Sequence, residues 1–514
     1  MSFPQALFST PTAFVRHGLD TLARIVDQVM PLSCAHRRDL PGACRDLSAL
    51  LTSRRDGLAR PYWTSPRLTS AYLRYFLPWN LVRLTALLPG LPLDVPQAAA
   101  TKKPATGNAD GDDFLIFDLG SGPCTLPLAL WLARPDLRRR PVTVVASDSS
   151  PHILDLGRRI FAALRAELDP ASPWTLRALR APLHAAPRQL RGRPRLITLG
   201  NVLNELEERE RRDASLRDTL AALLDDMACL LAPGGHLLAV EPGTRQGGRL
   251  TATLRDMALG CGVAPDESGD WDDDESGDAP ASADRMRDRE EQTPRFRALT
   301  PCPHQKPCPM LVRGVRAWCH AHAPAVGWKG AAPAALTDLS RAAGLAKDSV
   351  SLAFLFLERT DDSAPSSPTT HDCRPSGRTD GATRLRARMV SEAFVLPGTP
   401  GRARYACTEQ GLALIPDAAI LPAGALCEVC PTPRTDAKSG ARIMTLPGTL
   451  PGSGERGTSA PDRKTGQTTP RNPDREQPEG RTIRRKRHAR NQAQSASSGR
   501  ARTDHARPHQ ARKR

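Results

Sequence analysis

The sequence predicts an α/β fold built on a Rossmann-like parallel sheet, and three observations carry that prediction. Between Phe114 and Glu241, short apolar runs alternate with helical segments, the rhythm of parallel strands joined by crossover helices. A glycine-bearing turn, Asp118-Leu119-Gly120-Ser121-Gly122-Pro123-Cys124, joins the first run to the first helix. A later helical segment stops at Ala232-Pro233-Gly234-Gly235 and gives way to another strand.

Taken in order, residues 1–95 read as a helical region. Its stretch Leu68–Leu88 has apolar residues at helical spacing and is interrupted by Pro78. Residues 96–112 read as a linker. Residues 113–262 form the sheet domain: FLIFDLG is a buried first strand, TLPLALWLARP a helix, PVTVVASD a second strand and HILDLGRRIFAALRAEL a second helix. A strand in RLITLGNVLNEL ends near Asn201, the helix SLRDTLAALLDDMACLL follows, and HLLAVEPG is a further strand. Residues 263–295 are an acidic surface insertion whose carboxylates lack EF-hand spacing, so a solvated loop is expected rather than a calcium site. Residues 296–360 hold a Cys-rich segment and a late sheet strand at 349–359. Residues 361–384 read as a disordered insertion, 385–420 as a small β module turning at Pro397–Gly401, and 421–514 as a disordered basic tail.

The formal net charge is +17, and it is concentrated at the C-terminal end. Residues 451–514 carry 17 Lys/Arg against 6 Asp/Glu, centred on Arg484-Arg485-Lys486-Arg487. With almost no apolar residues, this tail cannot offset its chain entropy, and a flexible polycation favours phosphate backbones. Nucleic acid is therefore the expected partner of the tail. No apolar run is long enough for a membrane helix, so no membrane partner is expected. The first residues lack the basic and apolar blocks of an export signal. Twelve Cys without such a signal suggest reduced thiols, some of them metal ligands. The expected compartment is a bacterial cytoplasm, with a mitochondrion as the alternative.

The turn at 118–124 is the candidate nucleotide site. Gly120 and Gly122 let the backbone approach a ligand, and the helix that follows presents free N–H groups to an anion. In an S-adenosylmethionine (SAM) enzyme that anion is the carboxylate of the methionine moiety. Asp118 opens the pattern; Cys124 stands where the methyltransferase pattern DxGxGxG has its third glycine. Asp148, at the end of the second strand, is placed to accept hydrogen bonds from ribose hydroxyls, although it would also serve as a helix cap. Asn201 and Glu205 follow the third strand, where ligands sit in open α/β sheets. Asn201 would line the cofactor or cap the next helix. A dinucleotide fits the same fold, but LAPGGHLLAVEPG resembles the late half of many SAM methyltransferases.

A second constellation is Cys302-Pro303-His304-Gln305-Lys306-Pro307-Cys308-Pro309, followed by Trp318-Cys319-His320. Thiolates at such density bind soft metals or iron–sulfur clusters, and the flanking prolines pre-shape a ligand loop. Spacing leaves the fourth ligand open among Cys407, His304, His320 and the Cys427/Cys430 pair. It also leaves zinc and a [4Fe–4S] cluster undivided.

The segments YLRYFLPWNLVRL, DLGSGPCT, GNVLNEL, LAPGGHLLAVEPGT, PCPHQKPCP, AWCHAH, SLAFLFLER and YACTEQG occur in this order between residues 68 and 415. Together they resemble the methyltransferase-like assembly factors of the mitochondrial ribosomal small subunit and their bacterial relatives. The resemblance implies a class I SAM methyltransferase sheet and a small-subunit or rRNA partner. It also implies a [4Fe–4S] cluster on Cys302, Cys308, Cys319 and Cys407, with zinc as the alternative. The expected function is SAM-dependent methyl transfer to the small subunit or its rRNA during assembly. The alternative is a non-catalytic iron–sulfur assembly factor that binds SAM and rRNA. No Asn-Pro-Pro-Tyr motif and no Pro-Cys nucleophile follow the strand before Asn201, so no catalytic base is named.

Overall fold

The computed structural model of the chain describes residues 4–52, 62–93, 114–210, 216–261, 295–312, 315, 317–360, 384–396 and 401–447. The predicted linker (96–112) lies outside the described residues. So do essentially all of the acidic insertion (263–295) and of the 361–384 insertion, the turn at 397–400, and the chain from 448 onward.

The N-terminal helices begin where short polar side chains satisfy free backbone amides. Thr12 accepts from Val15 N at the start of α1 (Ala13–Val29), and Ser65 accepts from Leu68 N at the start of α3 (Pro66–Ala71). Between them lies α2 (Cys34–Thr52). Pro78 does not interrupt the following helix as the sequence suggested. α3 continues through a π-helical turn (Tyr72–Phe76) directly into α4 (Leu77–Leu87), so Pro78 lies inside one continuous helical run, and the widened turn just before it accommodates the N–H it lacks.

The sheet region runs β1 (Phe114–Leu119), α5 (Thr125–Ala133), α6 (Pro135–Arg138), β2 (Val142–Asp148), α7 (Pro151–Leu168), β3 (Trp174–Arg180) and α8 (Ala186–Gln189). It continues with β4 (Leu196–Gly200), α9 (Leu203–Glu210), α10 (Leu216–Leu230), β5 (His236–Pro242) and α11 (Arg245–Ala258). Then come β6 (Phe296–Thr300), β7 (Ala321–Pro324), α12 (Ala334–Ala342) and β8 (Ser349–Arg359). The strand order is β3-β2-β1-β4-β5-β8-β6, with β7 also paired to β8. β1 to β5 are parallel, and β8 is antiparallel to β5, β6 and β7. The late strand at 349–359 was legible in the sequence; β3, β6 and β7 were not.

From β1 the chain winds outward to β2 and β3, then returns to β4 on the other side of β1. The order reverses between β1 and β4. The turns leaving their carboxyl ends part there and open a crevice, the usual ligand position in sheets of this kind. One face of the sheet is covered by α1, α4, α5 and α7, with Trp131 and Trp174 fully buried and their indole N–H groups bonded to Ser172 Oγ (3.0 Å) and Leu137 O (2.9 Å). The other face packs on α10 and α11 through residues such as Leu224, Met227 and Leu254. The N-terminal helical region therefore shares one core with the sheet rather than standing apart.

Residues 421–447, expected as part of a disordered basic tail, instead hold two strands. The small β module comprises β9 (Leu385–Met389), β10 (Phe394–Val395), β11 (Arg402–Thr408), β12 (Gly411–Ile415), β13 (Leu426–Thr435) and β14 (Arg442–Thr445). β9 pairs with both β11 and β13, so β9, β11, β12, β14 and β13 close into a five-stranded barrel. Ala387, Ala413, Ile415, Val429 and Met444 fill its interior, which is why 421–447 are ordered: without β13 and β14 that apolar face would be open to water.

Candidate functional site

The crevice is built on the turn after β1. Asp118 is buried. Its carboxylate accepts hydrogen bonds from Ser121 Oγ and Thr198 Oγ1, both at 2.5 Å, so it ties the turn to β4. Burial pushes its pKa up to about 7. Gly120 has a left-handed backbone (φ +63°), and a Cβ there would lie 2.6 Å from Val202 Cγ2. Cys124, in the place of the third glycine, adopts the left-handed conformation a glycine would (φ 59°). That conformation costs a non-glycine residue about 1–2 kcal/mol. Its buried sulfur fills the space beside Gly157 of α7.

Asp148, at the end of β2, is turned toward the loop. Its Oδ2 accepts from Gly122 N and its Oδ1 from Ser150 N, each at 2.9 Å. It thus both caps the turn into α7 and stands beside the glycine turn, so the two roles expected of it are compatible. Asn201 is also left-handed (φ 58°). It is not a helix cap: Leu203 N, at the start of α9, donates to Glu241 Oε1 (2.8 Å). The Asn201 side chain instead reaches Arg83 of α4, whose Nη2 donates to Asn201 Oδ1 (2.8 Å). Arg83, Gly120, Ser121, Gly200 and Asn201 line a small cleft. Beyond Gly122 lies an aromatic wall of Tyr62, Trp63 and Tyr72, with Trp63 3.8 Å from where a Gly122 Cβ would be. Glu205 is exposed, and its charge adds to burial in raising the pKa of Tyr62 and Tyr72.

A second cluster of candidate residues lies between α11, the 302–319 segment and β11. Cys308, Cys319 and Cys407 share an apolar cluster there with Ala252, Met310 and Val390. Burial pushes the Cys308 thiol up to about 12 and raises those of Cys319 and Cys407; repulsion among these thiols and Cys302 adds to each shift. The four cysteines implied by the resemblance are therefore neighbours, although Cys407 comes from the barrel and the others from the sheet region. Their side chains do not converge as ligands. Among the described residues, no group of three or more His, Cys, Asp or Glu is placed to hold a metal ion. Two of these sulfurs have other partners: Arg255 Nε donates to Cys302 Sγ (3.0 Å), and His304 Nε2 stands 3.2 Å from Cys407 Sγ. The expected metal module is corrected to that extent. Of the other fourth-ligand candidates, His320 stacks on Trp318, and Cys427 and Cys430 lie on β13.

Several residues of the crevice and of this cluster escaped the sequence reading. Thr198 and Glu241 sit in apolar strands, at the end facing the crevice. Arg83 is a charge within the apolar stretch WNLVRL, which is the signal that would have marked it. Arg255 and Asp256 form a buried ion pair (2.5 Å) at the end of α11, with Asp256 accepting from Cys308 N (2.9 Å). Arg388 is buried on β9 and donates to Pro301 O (2.8 Å).

No family model and no curated protein matches the chain. Solved structures are similar over part of it. TrmN from Thermus thermophilus is 23% identical, with 25% of this chain and 33% of that one covered and a TM-score of 0.19. An S-adenosylmethionine-dependent methyltransferase from Clostridium acetobutylicum is 14% identical, with 27% and 46% covered and a TM-score of 0.20. A methyltransferase from Pyrococcus furiosus is 13% identical, with 28% and 62% covered and a TM-score of 0.21. The chain thus spans from a third to under two thirds of the length of these proteins.

Proposed function

We propose that the chain is a SAM-dependent methyltransferase acting on the small ribosomal subunit or its rRNA. The observation that carries the cofactor reading is the convergence of the Gly120 turn, Asp148 and Asn201 on the crevice at the β1/β4 reversal, from three separated stretches of sequence. When bound, SAM supplies an electrophilic methyl group on a sulfonium. The chain's residues bind and orient it: Asp148 offers carboxylate oxygens to ribose hydroxyls, and the left-handed turn leaves room for the amino-acid portion. The aromatic wall over Gly122 excludes water from that side. Asp118 acts as an internal brace through Ser121 and Thr198.

The RNA part of the proposal rests on the charge of residues 451–514, on the family resemblance and on the barrel. Five-stranded barrels are frequent carriers of oligonucleotides. Incubating isolated small subunits with methyl-labelled SAM should transfer label to rRNA. Binding without turnover would leave the second reading, a non-catalytic assembly factor; what favours that reading is that the Asn201 side chain is already engaged by Arg83.

We further propose that Cys302, Cys308, Cys319 and Cys407 hold a [4Fe–4S] cluster, or alternatively zinc. What supports this is the family resemblance together with four neighbouring thiols beside the buried cations Arg255 and Arg388; to bind a metal, their side chains would have to turn from their present partners and converge. No step of methyl transfer is assigned to the metal. Anaerobic purification should give a brown, iron-containing protein. A colourless zinc protein would select the alternative, and a metal-free protein would end both.

A further inference from the structure

Among the described residues lining the cleft, Arg83 is the one strongly basic group, and its surroundings do not account for it. Its side chain is 7% exposed. Nη2 is bonded to Asn201 Oδ1 and Nη1 to Ser351 O (3.2 Å), but Nε is buried with no hydrogen-bond partner. Among the described residues no carboxylate forms an ion pair with it. The charged or titratable groups that act on it electrostatically are Glu241, Tyr72 and Lys347. Burial pushes the pKa of Glu241 up to about 8, which weakens it as a counter-charge, and it forms no ion pair with Arg83. Glu241 Oε2 is likewise buried without a partner. A buried guanidinium with an idle N–H and no paired anion is costly unless something anionic enters beside it.

We infer that Arg83 is the residue that receives the carboxylate of the methyl donor's amino-acid tail. This rests on the reading of the crevice as a SAM site. The cleft places the ligand's two ends. Asp148, Gly122 and the aromatic wall lie toward the nucleoside side of the turn. Arg83, Gly120, Ser121 and Asn201 lie together on the other side. With only 7% of its surface exposed, Arg83 is poorly reached by an RNA phosphate, whereas the small carboxylate is delivered there by the nucleoside end. Arg83 comes from α4, outside the sheet's own loops. Cofactor affinity would therefore depend on the docking of the N-terminal helices.

The test is a binding cycle on the full chain, with SAM and decarboxylated SAM titrated into the wild type and Arg83→Met. Losing one charge-assisted contact weakens binding roughly 10- to 100-fold. The wild type should bind decarboxylated SAM that much more weakly than SAM. Arg83→Met should weaken SAM by the same factor and leave decarboxylated SAM unchanged, which also shows that the variant is folded. Arg83→Lys should recover part of the loss. Equal weakening of both ligands, or of neither, overturns the assignment while leaving the SAM site standing. A wild type that binds neither SAM nor S-adenosylhomocysteine overturns the site and the assignment together.

Discussion

Glu241 shows how one residue can link the sheet to pH. Its Oε1 holds the first amide of α9, and burial raises its pKa to about 8. A carboxyl whose folded pKa lies above its unfolded value, about 4.3, favours folding fully only below that unfolded value. The contribution is lost as pH rises through the folded pKa. The wild type should therefore lose stability between about pH 5 and pH 8 relative to Glu241→Gln, which keeps the Oε1 acceptor but has no charge to bury. Thermal melts should show the gap widening steadily in the variant's favour from pH 5 to pH 8, by on the order of a few kcal/mol. Parallel pH profiles would mean that Glu241 is not held neutral. Asp118, raised to about 7, contributes with the same sign.

At the scale of elements, α7 lies against the turn it helps to shape. A Cβ at Gly157 would fall 2.5 Å from the Pro123 carbonyl carbon and 2.8 Å from Cys124 Sγ. The departure from the glycine pattern at Cys124 is thus compensated on α7, where only hydrogen fits. Gly157→Ala should destabilise the fold by about 1–3 kcal/mol through overpacking and should disturb the turn at 118–124. Denaturant melts unchanged from wild type would show that the turn yields freely. The barrel teaches the converse. Its strands β13 and β14 were missed because β13 carries Pro431 and Pro433, β14 has only four residues, and both precede a strongly basic segment that reads as tail. Their order comes from closing a ring with β9, a long-range pairing that no local pattern announces.

Over the whole molecule, the parallel sheet was legible because β1, β2, β4 and β5 are apolar runs buried on both faces, with helices between them. β3 was not: Trp174–Arg180 alternates Arg and Thr with apolar residues at the sheet edge and carries no such run. Gly120, Gly122, Asp148 and Asn201 could be named from sequence because strand ends and glycine turns have local signatures. Arg83 showed in the sequence only as a charge within an apolar stretch, and its role, like that of Glu241, depends on how α4 and β5 meet across the crevice. The thiols were legible as a group by their density, whereas their engagement by Arg255 and His304 follows from tertiary packing. The central claim is that the turn at 118–124 forms the floor of a SAM site. Calorimetric titration of SAM into the wild type and Gly120→Val, whose branched side chain would strike Val202, tests it most directly. Saturable one-site binding to the wild type and its loss in a folded variant is the predicted result; equal affinity in both would contradict it.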